Sequence, residues 1–241
     1  MPAVVIDGDD TLWITEPLYD DARDEAARLV ATTGVDPAIW DKLERQIDVA
    51  SVASLGFSAS RFPTSCVKAY IEAAEHEGVR PDPAISRRII EIAGAVFTRP
   101  APLDPAARAV VSSLRDDYRV ILYTQGDSAV QKKRIADSGL SRLFDFILVV
   151  GHKTPRDFEQ LVRSLGLPRE RVVSVGNSLR SDVTPAVEAG VSAIWLERHV
   201  WEYEREAVEL DSALITRTSD LAEVPAIVRQ LVPTPGLAVV S

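Results

Sequence analysis

The chain has 241 residues, 46% hydrophobic and 26% charged, a globular composition that excludes disorder, collagen and coiled coil as descriptions of the whole. Lys and Arg number 27 against 36 Asp and Glu, and the resulting net charge of −9 argues against nucleic acid and anionic membrane as partners. A single cysteine, Cys66, makes no internal disulfide and no Cys-rich zinc site. The first strand-like run is residues 3–6, apolar throughout and therefore suited to a strand buried on both faces. No basic segment precedes it and no apolar stretch is long enough for a bilayer, so a cytoplasmic location is expected.

Residues 16–99 then carry no strand-like run. They read as helices over 16–33, 37–54, 64–77 and 83–97, punctuated by Gly34, Gly78 and Pro81. After Arg99-Pro100-Ala101-Pro102 the pattern changes. Helical periodicity over 105–115, 128–138, 155–165 and 184–189 alternates with apolar runs at 119–123, 146–150, 172–175 and 192–196. Thr154-Pro155 fits an N-cap and first helical residue, and Gly139, Gly166 and Gly190 stand where left-handed C-caps need glycine. A helix over 221–231 and a Pro/Gly-containing end finish the chain. Strand alternating with helix predicts an α/β fold, a doubly wound, Rossmann-like parallel sheet. Its core domain is residues 1–15 and 100–241, with 16–99 inserted as an all-helical second domain.

Chemistry collects at the C-terminal ends of the predicted strands, the edge where open α/β sheets bind ligands. Asp7, Asp9 and Asp10 follow the first strand. Like charges so close need a cation or a proton between them, and hard oxygen donors point to Mg²⁺. Thr124 and Gln125 end the second strand, where a hydroxyl and free backbone N–H groups suit a phosphate oxygen. Lys153 follows the third, and Gly176-Asn177-Ser178-Leu179-Arg180-Ser181-Asp182 the fourth. Taken singly each has a plain alternative: an acidic turn, a capped turn, a solvated lysine, an Asx turn opening a helix.

Together, Asp7-x-Asp9-x-Thr11, Thr124, Lys153 and the Gly176–Asp182 run resemble the motifs of the haloacid dehalogenase-like hydrolase superfamily. The likeness covers nearly the whole chain, and the helical insert looks like that family's C1-type cap. The resemblance implies a phosphatase acting on a small phosphorylated metabolite, with Mg²⁺ as cofactor. Asp7 would be the nucleophile, forming an aspartyl phosphate, and Asp9 the general acid and base. Thr124, Gln125 and Lys153 would hold the phosphoryl oxygens. Asp7, the backbone oxygen of Asp9 and Asp182 would hold the metal, with Asn177 in a weaker or water-mediated role. Many relatives carry Asp where this chain has Asn177, and Asn where it has Gln125. Residues 51–65 break the helical pattern, and Phe57, Arg61 and Phe62 in them are candidates for reading the substrate; packed aromatics and a solvated Arg are the alternative.

Other functions fit the same frame less well. Dehalogenation needs no acid at Asp9. A phosphonatase needs an imine-forming lysine in the insert, for which Lys68 is the candidate. A phosphomutase would use the same residues, and a degenerate phosphate-binding relative has Asn177 as its support. A response-regulator receiver domain would place its lysine after the last strand, whereas Lys153 follows the third of the core strands.

Overall fold

The computed structural model describes residues 1–198, 201–205 and 213–234; the Pro/Gly-containing end expected beyond them lies outside the described residues. The chain divides into two compact units. The first comprises Met1–Ile14, Ala101–Gln125 and Arg134–Ser241, the second Thr15–Pro100 together with Gly126–Lys133.

The first unit is built on a six-stranded parallel sheet. Its strands are β1 (Ala3–Ile6), β2 (Arg119–Gln125), β3 (Phe146–Val150), β4 (Val172–Gly176), β5 (Ser192–Leu196) and β6 (Ile215–Thr218). They lie side by side in the order β3-β2-β1-β4-β5-β6. The α/β, Rossmann-like reading of the sequence therefore holds. β6 was not anticipated: Ile-Thr-Arg-Thr is a short edge strand with none of the apolar continuity of the central strands.

Every residue of β1 is buried, because both faces of the sheet are covered. Val4 and Ile6 pack with Leu122, Val175 and Ile194 on one face, beside Val110, Val111 and Leu114 of α5 (Ala107–Leu114) and Val224 and Val228 of α9 (Val224–Leu231). Ala3 and Val5 pack with Ile121, Tyr123 and Val172 on the other, against Phe158 and Leu161 of α7 (Pro155–Leu165) and Ala186 of α8 (Thr184–Glu188). Each fully buried aliphatic side chain of this size contributes about 1.5–3 kcal/mol. α6 (Ser128–Ser138) joins β2 to the segment leading to β3. α7 starts on a capping box: Thr154 Oγ1 accepts from Asp157 N at 3.3 Å, and Asp157 Oδ2 from Thr154 N at 2.9 Å.

The register fixes what lies at the C-terminal edge. Ile6 stands opposite Leu122 on one side and Val175 on the other. Asp7, one residue on, is still held at the sheet by its N–H to Val175 O at 2.9 Å. The chain leaves this unit beside the point where it returns: Trp13 and Leu103 form an antiparallel bridge, and Ile14 N donates to Pro102 O at 2.7 Å.

The second unit carries α1 (Glu16–Ala31), α2 (Pro37–Leu55), α3 (Arg61–His76), α4 (Pro83–Gly94) and a 3₁₀ turn, Ala95–Phe97. Asp36 caps α2 by accepting from Ala38 N at 2.8 Å, and Asp82 caps α4 by accepting from Ala84 N at 2.7 Å, each with Pro at the following position. Trp40, Phe62, Ala69, Tyr70 and Ala73 are buried in its core, and Trp40 Nε1 donates to Cys66 O at 3.1 Å. The irregular stretch expected over 51–65 is shorter than its sequence suggests. α2 runs on to Leu55 and α3 already begins at Arg61, so the break is confined to residues 56–60, around Gly56 at φ 58°. Among the described residues, no helix is long and apolar enough to cross a membrane.

Candidate active site

The four sequence motifs meet at the C-terminal edge of the sheet. Lys153 Nζ lies 2.6 Å from Asp7 Oδ1 and 2.6 Å from Asp182 Oδ1. All three residues are buried. Burial works against the Lys153 charge, but Asp182 and Asp7 outweigh it and hold its pKa above the ordinary lysine value. Burial pushes the Asp7 carboxyl well up and Asp182 pushes it further, while Lys153 pulls it back. Beneath the ammonium lies the Tyr123 ring, its centroid 5.4 Å away, so the cation also meets an aromatic face.

The loop after β1 is shaped by two close constraints. A Cβ on Gly8 would stand 2.4 Å from Cζ2 of Trp13, so only glycine lets the loop lie on the indole. Asp10 takes φ 56°, a left-handed conformation that Asp tolerates better than most residues, and this third carboxylate is the corner of the turn. Trp13 in turn donates from Nε1 to Asp9 Oδ1 at 2.5 Å. The other carboxylate oxygen of Asp9 accepts from Nη1 of Arg134, which reaches it from α6.

Thr124 is fully buried at the end of β2. Gln125 ties β2 to its neighbours: Oε1 accepts from the backbone N of Lys153 at 2.8 Å and Nε2 donates to Ser181 Oγ at 3.4 Å. Its side chain is thus occupied in the scaffold, and what it offers a ligand is its backbone.

The fourth motif forms a single π-helical turn, Leu179–Val183, before α8. Gly176 makes room for it, since a Cβ there would stand 2.2 Å from Cγ and Oδ2 of Asp182. Asp182 Oδ2 accepts from Ser178 N at 3.1 Å while its other oxygen holds Lys153. Asn177 Oδ1 accepts from Thr11 Oγ1 at 3.2 Å, and its carbonyl accepts from Trp195 Nε1 at 3.1 Å. Thr11 therefore acts on the fourth motif as well as on its own loop. Glu204, from the 3₁₀ turn Glu202–Arg205, accepts from the hydroxyls of Ser178 and of Ser181, the latter at 2.7 Å. Burial raises its pKa and the two serine bonds lower it.

Oxygen donors suited to a hard cation are thus gathered around Asp7, Asp182 and Asn177. Among the described residues no three Asp, Glu, His or Cys side chains converge as a ready metal cluster. A cation here would meet two carboxylates and would need neutral oxygens to complete its shell.

The insert residues fall differently from their sequence reading. Phe62 is 1% exposed, edge-on to Tyr19 at 5.0 Å between ring centroids, with the Arg23 guanidinium 5.1 Å from its own centroid. Arg61 is buried in an ion pair with Asp48 and donates to Asp48 O at 3.2 Å. These two serve the interior of the helical unit, so Phe62 is the packed aromatic of the alternative reading, and Arg61 is buried and paired, not solvated. Phe57 lies in the turn between α2 and α3, half-buried.

Sequence reasoning missed Arg134 and Glu204. Arg134 had a signal: Val130, Gln131, Arg134, Ile135 and Ser138 are the buried stripe of α6, and an arginine on such a stripe requires a counter-charge. Glu204 had none, being one of several acids in a polar stretch.

Residues 1–190 match the family description for haloacid dehalogenase-like hydrolases. Over 234 residues the chain is 26% identical to glyceraldehyde 3-phosphate phosphatase of Methanothermobacter thermautotrophicus, covering 94% of this chain and 99% of that protein. It is 30% identical over 148 residues to phosphoserine phosphatase of Thermus thermophilus, covering 58% of this chain and 57% of that one. Among solved structures, a haloacid dehalogenase-like family hydrolase from Xanthomonas campestris superposes with a TM-score of 0.80 at 31% identity, over 96% of each chain.

Proposed function

Because the chain belongs to the haloacid dehalogenase-like hydrolase family, we propose that it is a phosphatase hydrolysing a small alkyl phosphate monoester through an aspartyl phosphate on Asp7. The observation that carries this reading is the Lys153 ammonium held between the buried carboxylates of Asp7 and Asp182. Two carboxylates against one cation leave the site negative before any substrate arrives. A phosphate dianion 4 Å from one carboxylate is repelled by about 8 kcal/mol at an effective dielectric of about 20. A divalent cation fits this deficit and these donors: Asp7, the backbone oxygen of Asp9 and Asp182 would hold Mg²⁺, with Asn177 as a neutral neighbour. Bound there, it would supply charge neutralisation of the phosphoryl oxygens.

The chain's own residues do the rest. Lys153 fixes the Asp7 carboxylate and offers positive charge to the transferring group. Thr124 and the N–H of Gln125 bind phosphoryl oxygens. An Asp7 oxygen bonds to phosphorus as the ester P–O bond breaks, and the Asp9 carboxyl gives its proton to the departing alkoxide. Asp9, now ionised, takes a proton from water as that water attacks phosphorus, and phosphate leaves Asp7 free. The helical insert, residues 16–99, is assigned the selection of leaving group, with Phe57 as its candidate contact. The phosphatases named above act on small phosphate esters with alkyl leaving groups, which supports the same class here.

A screen of phosphorylated metabolites with Mg²⁺ and with EDTA tests this. Turnover should need the metal, and Asp7→Asn should abolish it with an unchanged melting curve. An Asp7→Asn protein retaining more than a few per cent of turnover would refute the covalent route.

A further inference from the structure

Asp9 must present one carboxyl oxygen to a leaving group and later to a water, so its two side-chain torsions matter as much as its charge. Its partners fix both. Trp13 Nε1 holds Oδ1 at 2.5 Å and Arg134 Nη1 holds Oδ2. Trp13 is 1% exposed and wedged under Gly8, so its N–H has a fixed direction. The Arg134 side chain is 5% exposed while that of Asp9 is 27% exposed. The cation is therefore the buried end of the pair and the carboxylate the solvent-facing end. An arginine buried to this depth only to pack would be a costly choice. α6 begins three residues after Gln125, so the same helix that follows the phosphate-binding end of β2 also supplies the tether of Asp9.

We propose that Arg134 is a positioning residue for catalysis: from the buried face of α6 it sets the rotamer of Asp9, with the Trp13 indole as the second fixed point, so that proton donation to an alkyl leaving group is aligned. This rests on the acid role assigned to Asp9 above. Misplacing a catalytic group by about 1 Å can cost roughly 10²-fold in rate. In the transfer of phosphorus to Asp7, the part of the reaction that kcat/KM reports, the loss should appear only where the leaving group needs a proton.

The test compares glycerol phosphate with p-nitrophenyl phosphate, whose leaving group departs unprotonated. Arg134→Met should lower kcat/KM on glycerol phosphate by about 10- to 100-fold and change kcat/KM on the aryl ester little, whereas kcat on either ester also contains the Asp9-assisted attack of water on the aspartyl phosphate. Arg134→Lys should restore part of the loss. Trp13→Phe, which keeps an aromatic side chain, though a smaller one, and removes the N–H, should show the same substrate dependence in kcat/KM, and stands in if Arg134→Met proves unstable. In an Asp9→Asn background, Arg134→Met should cause no further loss. Equal losses of kcat/KM on both esters, or losses that multiply in the double variant, would assign Arg134 to general stability and overturn the proposal. Asp9→Asn lowering kcat/KM equally on both esters would instead remove the acid role of Asp9, and the positioning role with it.

Discussion

Replacing Lys153 by methionine keeps most of the side chain's volume and deletes its charge. Each of the two contacts spans 2.6 Å, worth about 6 kcal/mol of attraction at an effective dielectric of about 20. Desolvation of three buried charges offsets much of that. Removing one partner from a buried ion pair costs about 3–5 kcal/mol net, because the carboxylates left behind face each other. With the ammonium gone, the two bonded oxygens stand no farther apart than twice 2.6 Å, a repulsion of about 3 kcal/mol at the same dielectric. Lys153→Met should therefore lose about 3–5 kcal/mol of unfolding free energy near pH 8 in EDTA, a fall in melting temperature on the order of 10 °C. Adding Asp182→Asn should recover much of the stability, since one carboxylate remains and needs no bridge, yet recover no turnover. Urea unfolding of the three proteins, with kcat measured on the same preparations, decides the matter. A Lys153→Met protein within about 1 kcal/mol of wild type would mean that the ammonium does not bind the pair together, and the charge argument for the site would fall.

Two further perturbations read other parts of the molecule. Glu44, buried in the helical unit beside Arg23 at 2.8 Å, is raised to a pKa of about 7, chiefly by burial and also by Asp48, against the pull of Arg23. A carboxyl raised in the folded state favours folding below its unfolded pKa, and that contribution is lost as pH rises toward the folded value, on the order of 3 kcal/mol between about pH 4.5 and 7. The stability difference between wild type and Glu44→Gln should accordingly shift against wild type across that window; a difference independent of pH would refute the assignment. Gly176→Ala would drive a Cβ to within 2.2 Å of the Asp182 carboxylate, so Asp182 must move, and kcat should fall by roughly 10²-fold; a fully active Gly176→Ala enzyme would show that the placement of Asp182 is not critical.

The sheet was legible because its strands carry short, largely apolar runs, wholly buried in β1 though partly exposed in the edge strand β3, and because β1 to β4 lead into residues that make no sense in a core. Ala3–Ile6 runs directly into Asp7, and Phe146–Val150 leads by way of Gly151-His152 to Lys153. Register then places these ends together without any further information. Helix caps were equally plain, as at Thr154 and Asp157. What the pattern could not show was pairing across long sequence distances. Lys132, Lys133 and Arg134 are consecutive cations, and only the buried stripe of α6 singles out the one that meets Asp9, 125 residues away in the chain. Arg61 and Phe62 misled for the opposite reason: they look like exposed loop residues until the helix that contains them is seen to start at Arg61.

The place of β1 in the sheet has a consequence for biosynthesis. Of the six strands described, β1, which leads into Asp7, comes first in the chain, yet its neighbours are β2 and β4. Ala3 pairs with Arg119 on one side and with Val172 on the other, so β1 is synthesised long before either edge partner exists. Contacts within α1 to α4 are all closed by residue 97, and local helical contacts form faster than distant strand pairings. On the ribosome the helical insert is thus free to fold while Asp7 still waits on an unpaired apolar strand. No nascent chain that stops before Asp182 holds all the residues gathered at this edge, and until β2 and β4 are made Ala3-Val4-Val5-Ile6 is an unpaired apolar segment open to pairing with the wrong edge.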